Sequence, residues 1–361
     1  NTVRTYTLAL TATQTVFDFA KFSNVAGAMA TSKSADATLN AALQSLMTRV
    51  ASAYFAVLRD EDNLSYSGAS KLAYGEQLDQ VKQQYKVGLK TVTDFYTAQA
   101  SYDSAVASYI QAQTTLANDR ENLRVITGKY YPDLAALSES FPLITPQPVD
   151  VETWVKTAQQ QNWSIKSSQY SVDAARQTIR QQFGGHLPTI NLEGTLDRQY
   201  TKNMNGYSNV FQQEGPGVQT DRSIMVDITV PLFEGGGVVA ETNQAVYNYQ
   251  VAQQQLEQTI RNTMNTTRQS YLSIIQGISQ VTADKQAIKS NVSSLQGMEA
   301  SYRVGTETLV DVLNQQQKLY QAQTQYAADR YAFVNNVLAL KQAAGTLSFD
   351  DLRAINAWLK A

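Results

Sequence analysis

Cysteine is absent from this chain and histidine occurs once, at His186. Thiol nucleophiles, disulfides and cysteine-ligated zinc are excluded at once, and most histidine-based acid–base schemes lack a partner. His186 stands in GGHLP, a turn ahead of a strand, where a structural role accounts for it. Missing cysteine fits an exported chain without establishing one. Charge is scarce too, at 17% of residues, and the 29 Lys plus Arg nearly balance the 31 Asp plus Glu. With a net charge of −2 there is no basic footprint, so no nucleic-acid partner is expected. No uninterrupted run of about 18 apolar residues occurs, so no transmembrane helix is expected. No constellation for catalysis, cofactor or metal is visible, and no enzymatic activity is expected. What remains is 361 residues at 43% apolar content, enough for about two average domains.

The chain is written twice. YKVGLKTVTDFY at Tyr85 to Tyr96 returns as YRVGTETLVDVL at Tyr302 to Leu313, an offset of 217. The same offset places Gln99, Ala105, Tyr109, Leu123 and Gly128 on Gln316, Ala322, Tyr326, Leu340 and Gly345 without a gap, and it runs back to match Tyr54 with Tyr271. An internal repeat constrains the fold more than any local motif. It divides the chain into a first repeat over 1–128, a linker over 129–150 rich in proline, a second repeat over 151–345 and a terminal segment over 346–361.

Each repeat carries strand and helix grammar in turn. From Asp221 to Phe233, Ile224, Val226, Ile228 and Val230 alternate with Ser223, Met225, Asp227 and Thr229, the period of a strand with one apolar face. The same alternation marks strands over 1–19 and 188–200, with a long exposed loop over 201–220. Helix periodicity then takes over, with a helix over 151–183 and long helices over 20–86 and 237–303. Leu39, Leu43, Leu46, Val50, Ala53 and Val57 follow at coiled-coil spacing. Proline is missing from 27–84 and from 237–302, so each long helix can reach about 60 residues and about 90 Å. Return helices follow over 91–127 and 308–345. Gly88 and Gly305 read as helix terminators, and Thr91 to Asp94 and Thr308 to Asp311 as capping signatures, so the repeated stretch is a helical hairpin tip.

Strands of about 12 residues with Thr, Asp, Glu and Gln on one face suit a membrane barrel with a wet interior, and a soluble sandwich is the alternative. Phe17, Phe19, Phe22, Phe183 and Phe233 fall where strands meet helices, as an interfacial girdle or as plain packing. Residues 149–216 have no counterpart in the first repeat, a deficit of 68 residues. The expectation is a further helix and strand ahead of Asn1, four strands per chain, and oligomerisation to close a barrel.

GHLPTINLEG at Gly185 to Gly194, VPLFEGG at Val230 to Gly236 and TGKYYPDLAAL at Thr127 to Leu137, together with the two tips, resemble the TolC-type outer-membrane channel proteins, the outer membrane factor family. The likeness covers nearly the whole chain, with the motifs in family order. It implies a mixed α and β membrane protein. In that fold a homotrimeric 12-stranded β-barrel continues into a 12-helix α-helical barrel, with 129–150 and 346–361 as an equatorial belt. The implied role is a passive, gated exit duct for tripartite efflux pumps or type I secretion in a Gram-negative outer membrane. Its partners would be outer-membrane lipid, a periplasmic adaptor and, through it, an inner-membrane transporter. By resemblance, Thr93, Asp94, Tyr302 and Asp311 match the periplasmic gate. Glu307 and Asn314 depart from it, standing where relatives carry an arginine and a second acidic residue. A carboxylate cannot donate to Thr93 and Asp94 as a guanidinium does, so closure would use other contacts. Helix capping alone also explains both aspartates. Val87, Gly88 and Leu89, with Val304, Gly305 and Thr306, match the adaptor-docking tips, and turn geometry alone also explains both glycines. A periplasmic coiled-coil adaptor or scaffold protein is the alternative function, and it gives the strands no role.

Overall fold

The computed structural model describes residues 3–203 and 217–360. Its strands β1 (Val3–Phe17), β3 (Thr189–Asn203) and β4 (Gly217–Thr229) form one antiparallel sheet in the order β1-β3-β4. In-register partners share a face, and the register makes the sorting complete. Tyr6, Leu8 and Leu10 oppose Tyr200, Arg198 and Leu196, while Leu192, Gly194 and Ile190 oppose Val226, Ile224 and Ile228. On the other face, Thr7, Ala9, Thr11 and Thr13 oppose Gln199, Asp197, Thr195 and Glu193. A bulge between Thr15 and Phe17 turns Phe17 onto the apolar face opposite Ile190. β1 and β4 each keep one edge unpaired among the described residues.

Two strand limits differ from the sequence reading. β4 stops at Thr229 rather than 233, because Pro231 has no N–H for the ladder, and the tail beyond leaves Leu232 93% and Phe233 86% exposed. Pairing also reaches into the expected loop, with Thr201 opposite Gly217. The remainder of that loop, 204–216, lies outside the described residues.

The helices are α1 (Phe19–Lys86), α2 (Val92–Thr127), α3 (Val151–Gln161), α4 (Trp163–Phe183), α5 (Gly237–Arg303), α6 (Leu309–Ala343) and α7 (Phe349–Asn356). The single helix expected over 151–183 is therefore two. Asn162 breaks it with an extended backbone, accepting at Oδ1 from Ser164 N at 2.9 Å and Ile165 N at 3.2 Å, and donating Nδ2 to Ala343 O at 2.9 Å. His186 sits in the 3-10 turn Gly184–His186, edge-on to Phe183 at 5.8 Å.

The buried stripe of α1 also differs from the leucine seam read from spacing. Ser23, Ala30, Ala37, Gln44, Ala51 and Leu58, each seven residues on, are covered, whereas Leu39, Leu43 and Leu46 are exposed. The heptad period holds, but the phase fails over Leu39 to Leu46, where small residues let neighbouring helices of the same chain approach and the leucines face outward; further along, Ala53 and Val57 of the expected seam do pack in a core cluster. One 18-residue window of α1 has a mean hydropathy of 1.2, so by length and composition this helix passes the test for a membrane crossing that the sequence reading excluded. A third of that window is buried within the chain.

Contacts group the chain into one unit of 1–36 with 166–258 and another of 37–165 with 259–361. The first contains the sheet, where an added Cβ at Gly184 would come within 2.8 Å of Ala20 N. The second has three apolar clusters among its described residues, the smallest being Val57 of α1 with Leu116 and Leu123 of α2. One joins Phe55, Ile274, Phe333 and Leu338 to Trp154, Leu347 and Ile355, and so fastens α7 and the linker to the helices. Beside it, β2 (Ala136–Leu137) pairs with β5 (Leu359–Lys360). The third cluster lies under the hairpin tips.

Candidate functional site at the hairpin tips

Both tips are built the same way. α1 and α5 each end in a glycine with left-handed backbone, Gly88 at φ 78° and Gly305 at φ 81°, a conformation that costs other residues more. Leu89 N donates back to Gln84 O at 2.9 Å and Thr306 N to Ser301 O at 3.0 Å, closing each helix end. The return helix then starts from a reciprocal capping box. Asp94 N donates to Thr91 Oγ1 at 3.1 Å while Thr91 N donates to the Asp94 carboxylate at 3.0 Å. Asp311 N donates to Thr308 Oγ1 at 3.3 Å and Thr308 N to the Asp311 carboxylate at 3.1 Å, with a further bond from the Thr308 hydroxyl.

These bonds set the charge state. The backbone and hydroxyl donors of Thr91 hold Asp94 below the usual carboxylate range. The hydroxyl and then the backbone N–H of Thr308 do the same for Asp311, so both tips carry a fixed anion near neutral pH. Beneath them Tyr74, Leu78 and Val81 of α1, Ala98 of α2, Tyr302 of α5 and Leu309 and Val312 of α6 form one buried cluster. Tyr74 adds a hydroxyl bond to Leu313 O at 3.1 Å. Above the cluster, Val87 (70%), Leu89 (74%) and Val304 (76%) are exposed apolar residues at the turns.

The gate residues named from sequence do not meet as a group. Thr93 lines a groove of about 760 Å³ with Ser67, Tyr74, Tyr96, Ser104 and Tyr320. Glu307 and Asn314 are exposed, and Tyr302 is buried with no partner for its hydroxyl among the described residues. No hydrogen bond among the described residues joins Thr93 or Asp94 to Tyr302, Glu307, Asp311 or Asn314. The contact that does tie one tip to the other was missed: Lys90 Nζ lies 4.5 Å from the Tyr302 ring centroid. The repeat held a signal for it, because the offset that pairs the tips sets Lys90 on Glu307, opposite charges at one position. Among the described residues no three His, Cys, Asp or Glu side chains gather as metal ligands.

A sheet with one apolar and one polar face, leading into paired long helices with capped tips, is the chain fold of outer-membrane channel proteins. The VceC outer membrane protein of Vibrio cholerae shares it at a TM-score of 0.77 and 18% identity, over 95% of this chain and 87% of that one. The profile of the outer membrane efflux protein family matches residues 1–129 and 154–346, and the chain belongs to that family. It is 40% identical to the outer membrane protein TolC of Escherichia coli, over 96% of this chain and 71% of that protein. It is 26% identical to the alkaline protease secretion protein AprF of Pseudomonas aeruginosa, over 98% and 72%.

Proposed function

We propose that this chain is an exit duct in the outer membrane of a Gram-negative bacterium, serving efflux or type I secretion; its family is described as outer membrane efflux proteins and its relative AprF as an alkaline protease secretion protein. Three copies would close a 12-stranded barrel, to which β1, β3 and β4 contribute, continued by a 12-helix tunnel to which α1, α2, α5 and α6 contribute. The two-faced sheet carries this reading: an apolar face suits lipid, a face of threonines and carboxylates suits water, and both are open in the single chain. The unpaired edges of β1 and β4 and the outward leucines of α1 support assembly, since each asks for a neighbour. The internal duplication supports the two hairpins per chain.

The hairpin tips would form the periplasmic gate, with Asp311 of three chains near one axis, alongside Thr93, Asp94, Tyr302, Glu307 and Asn314. Glu307 offers no donor, so the Lys90–Tyr302 contact is the closure element we assign in its place. The exposed apolar triplet of Val87, Leu89 and Val304, around Gly88, Gly305 and Thr306, suits docking of a periplasmic adaptor that recruits an inner-membrane transporter. An adaptor or scaffold role would leave the two-faced sheet without a use. Planar-bilayer recording on the purified protein tests the proposal. Discrete cation-conducting channels are expected, and a protein that extracts without detergent and never conducts would overturn it.

A further inference from the structure

Among the described side chains, the charges on the three strands are sorted by face without exception. Arg4, Arg198 and Arg222 share the apolar face, while Glu193, Asp197, Asp221 and Asp227 share the polar one. The three arginines are exposed and have no ion pair among the described residues. Solubility in a wet lumen explains carboxylates on the polar face. It does not explain cations confined to the face read as lipid-facing, where charge is costly and a neutral residue would serve.

Their depth is informative. β1 ends beside α1, β3 follows α4 and β4 precedes α5, so all three strands meet helices at one end of the sheet. From that end the apolar rows run Ile190 with Ile228, Leu192 with Val226 and Gly194 with Ile224. Then come Leu196 with Arg222, Leu8 with Arg198 and Tyr6 with Tyr200. Ten residues from Ile190 to Tyr200 span about 33 Å along a strand, or about 25 Å of height at a barrel tilt of about 40°, the thickness of an apolar band. Tyr6 and Tyr200, with ring centroids 6.4 Å apart, therefore stand at the outer interface, where tyrosine is favoured.

Arg198 and Arg222 lie just inside that line, with stems long enough to lift their guanidinium groups to it. Arg198 opposes Thr220, two residues from Arg222, so the two arginines are diagonal neighbours about 7–8 Å apart at Cα. Two adjacent cations with no anion on their face require one from outside. A guanidinium fork matches phosphate in bidentate fashion, and a tyrosine hydroxyl can add a donor.

We infer that Arg198 and Arg222, bounded on the outer side by Tyr6 and Tyr200, form a binding site for the phosphate groups of outer-leaflet lipids. The inference rests on the barrel reading above, which sets the helices in the periplasm and this end of the sheet outward. The site would anchor the barrel at a fixed height and bind phosphorylated lipid in preference to zwitterionic lipid.

The test reconstitutes the full chain in phosphatidylcholine vesicles with and without lipid A, and counts lipid A retained per chain after extraction. Retention by the unaltered protein is expected, weakened about tenfold in Arg198→Gln and in Arg222→Gln, and further in the double variant. Arg198→Lys, which keeps charge and loses the fork, should fall between, and Asp221→Asn, on the opposite face, should match the unaltered protein. Variants that insert normally and retain lipid A undiminished would overturn the site. Competition by millimolar inorganic phosphate would overturn the lipid as ligand in favour of a soluble anion. An unaltered protein that inserts into neither vesicle would instead overturn the barrel reading beneath it.

Discussion

Asp197 of β3 and Asp221 of β4 stand directly opposite one another, two carboxylates in register on a face that carries no cation among its described residues. Opposed like charges cost a sheet stability, by up to about 1 kcal/mol, so their juxtaposition serves the face rather than the fold. With Glu193 and Asp227 they would give the lumen of the proposed barrel a one-signed lining, which concentrates cations. Replacing both, as Asp197→Asn with Asp221→Asn, should move the reversal potential measured across a salt gradient toward zero and leave thermal stability equal or slightly raised. An unchanged reversal potential would place selectivity elsewhere in the duct.

A second acidic pair lies between helices. Asp284 of α5 is buried against Asp329 of α6; Gln280 donates to Asp284 at 3.0 Å and Gln325 to Asp329 at 2.8 Å, and Asp284 Oδ2 has no other partner among the described residues. Burial, and after it the neighbouring Asp329, raise the pKa of Asp284 from 3.8 to about 6, against the pull of Gln280. The folded chain thus keeps a proton that the unfolded chain loses near 3.8. Stability from this group is greatest below that value, declines as pH rises, and is lowest above about 6. Asp284→Asn should therefore stabilise the protein at pH 7.5 by on the order of 1–3 kcal/mol and flatten the pH dependence of its melting temperature. Identical melting curves for the variant and the unaltered protein at both ends of the range would show that the pair is not strained.

Arg330 presents the opposite case, a buried cation paired through one guanidinium nitrogen, its Nε having no partner among the described residues. It meets Asp62 at 2.6 Å and the Tyr331 hydroxyl at 2.8 Å, and the same hydroxyl donates to Asp62 at 2.9 Å, bridging α1 and α6. Removing the carboxylate strands a cation whose side chain is 7% exposed, whereas removing the cation leaves Asp62, 30% exposed, within reach of water. Asp62→Asn is expected to cost about 2–4 kcal/mol in denaturant melts and Arg330→Met distinctly less. The reverse order would mean that the pair stabilises in its own right.

The Lys90–Tyr302 contact is the tie we assign between the tips of one chain. A lysine ammonium over the ring of the buried Tyr302 is worth about 0.5–1 kcal/mol, enough to shift the open-to-closed equilibrium constant of a gate about two- to fivefold. Lys90→Gln should increase the frequency of channel opening in bilayers with no change in single-channel size.

The faces of the sheet and the tip boxes were legible because each is written locally: a period of two fixes which side chains share a face, and Thr-x-x-Asp after a glycine fixes a turn. The break at Asn162 was not, since it depends on the Ala343 carbonyl and on Gly345, whose added Cβ would come within 2.5 Å of Gln161 O. Both partners come from the far end of the sequence. The phase of α1 over Leu39 to Leu46 was not legible for a related reason. Spacing identifies residues that want burial, while Leu39 and Leu43 against Ala37 and Gln44 is decided by which neighbour, of the same chain or another, supplies the cover. β2 and β5, two residues each, have no local signature at all. Lys90 carries no local signature of its role either, because only the charge reversal against Glu307 at the same position of the second repeat sets it apart.

Asp311 has two roles that can be separated by experiment. As a capping residue it holds Thr308 and starts α6; as a member of the proposed ring it presents a negative charge to the pore axis. Thr308→Val removes the hydroxyl from the box and keeps the charge, so it should cost about 1 kcal/mol of stability while leaving cation block of the single-channel current intact. Asp311→Asn keeps an acceptor for the Thr308 N–H and removes the charge, so block should fall sharply with a smaller stability cost. Because the donors of Thr308 hold the Asp311 carboxyl below its ordinary range, block in the unaltered protein should persist as pH is lowered through the range where ordinary carboxylates protonate. Block that survives Asp311→Asn would assign the carboxylate to capping alone.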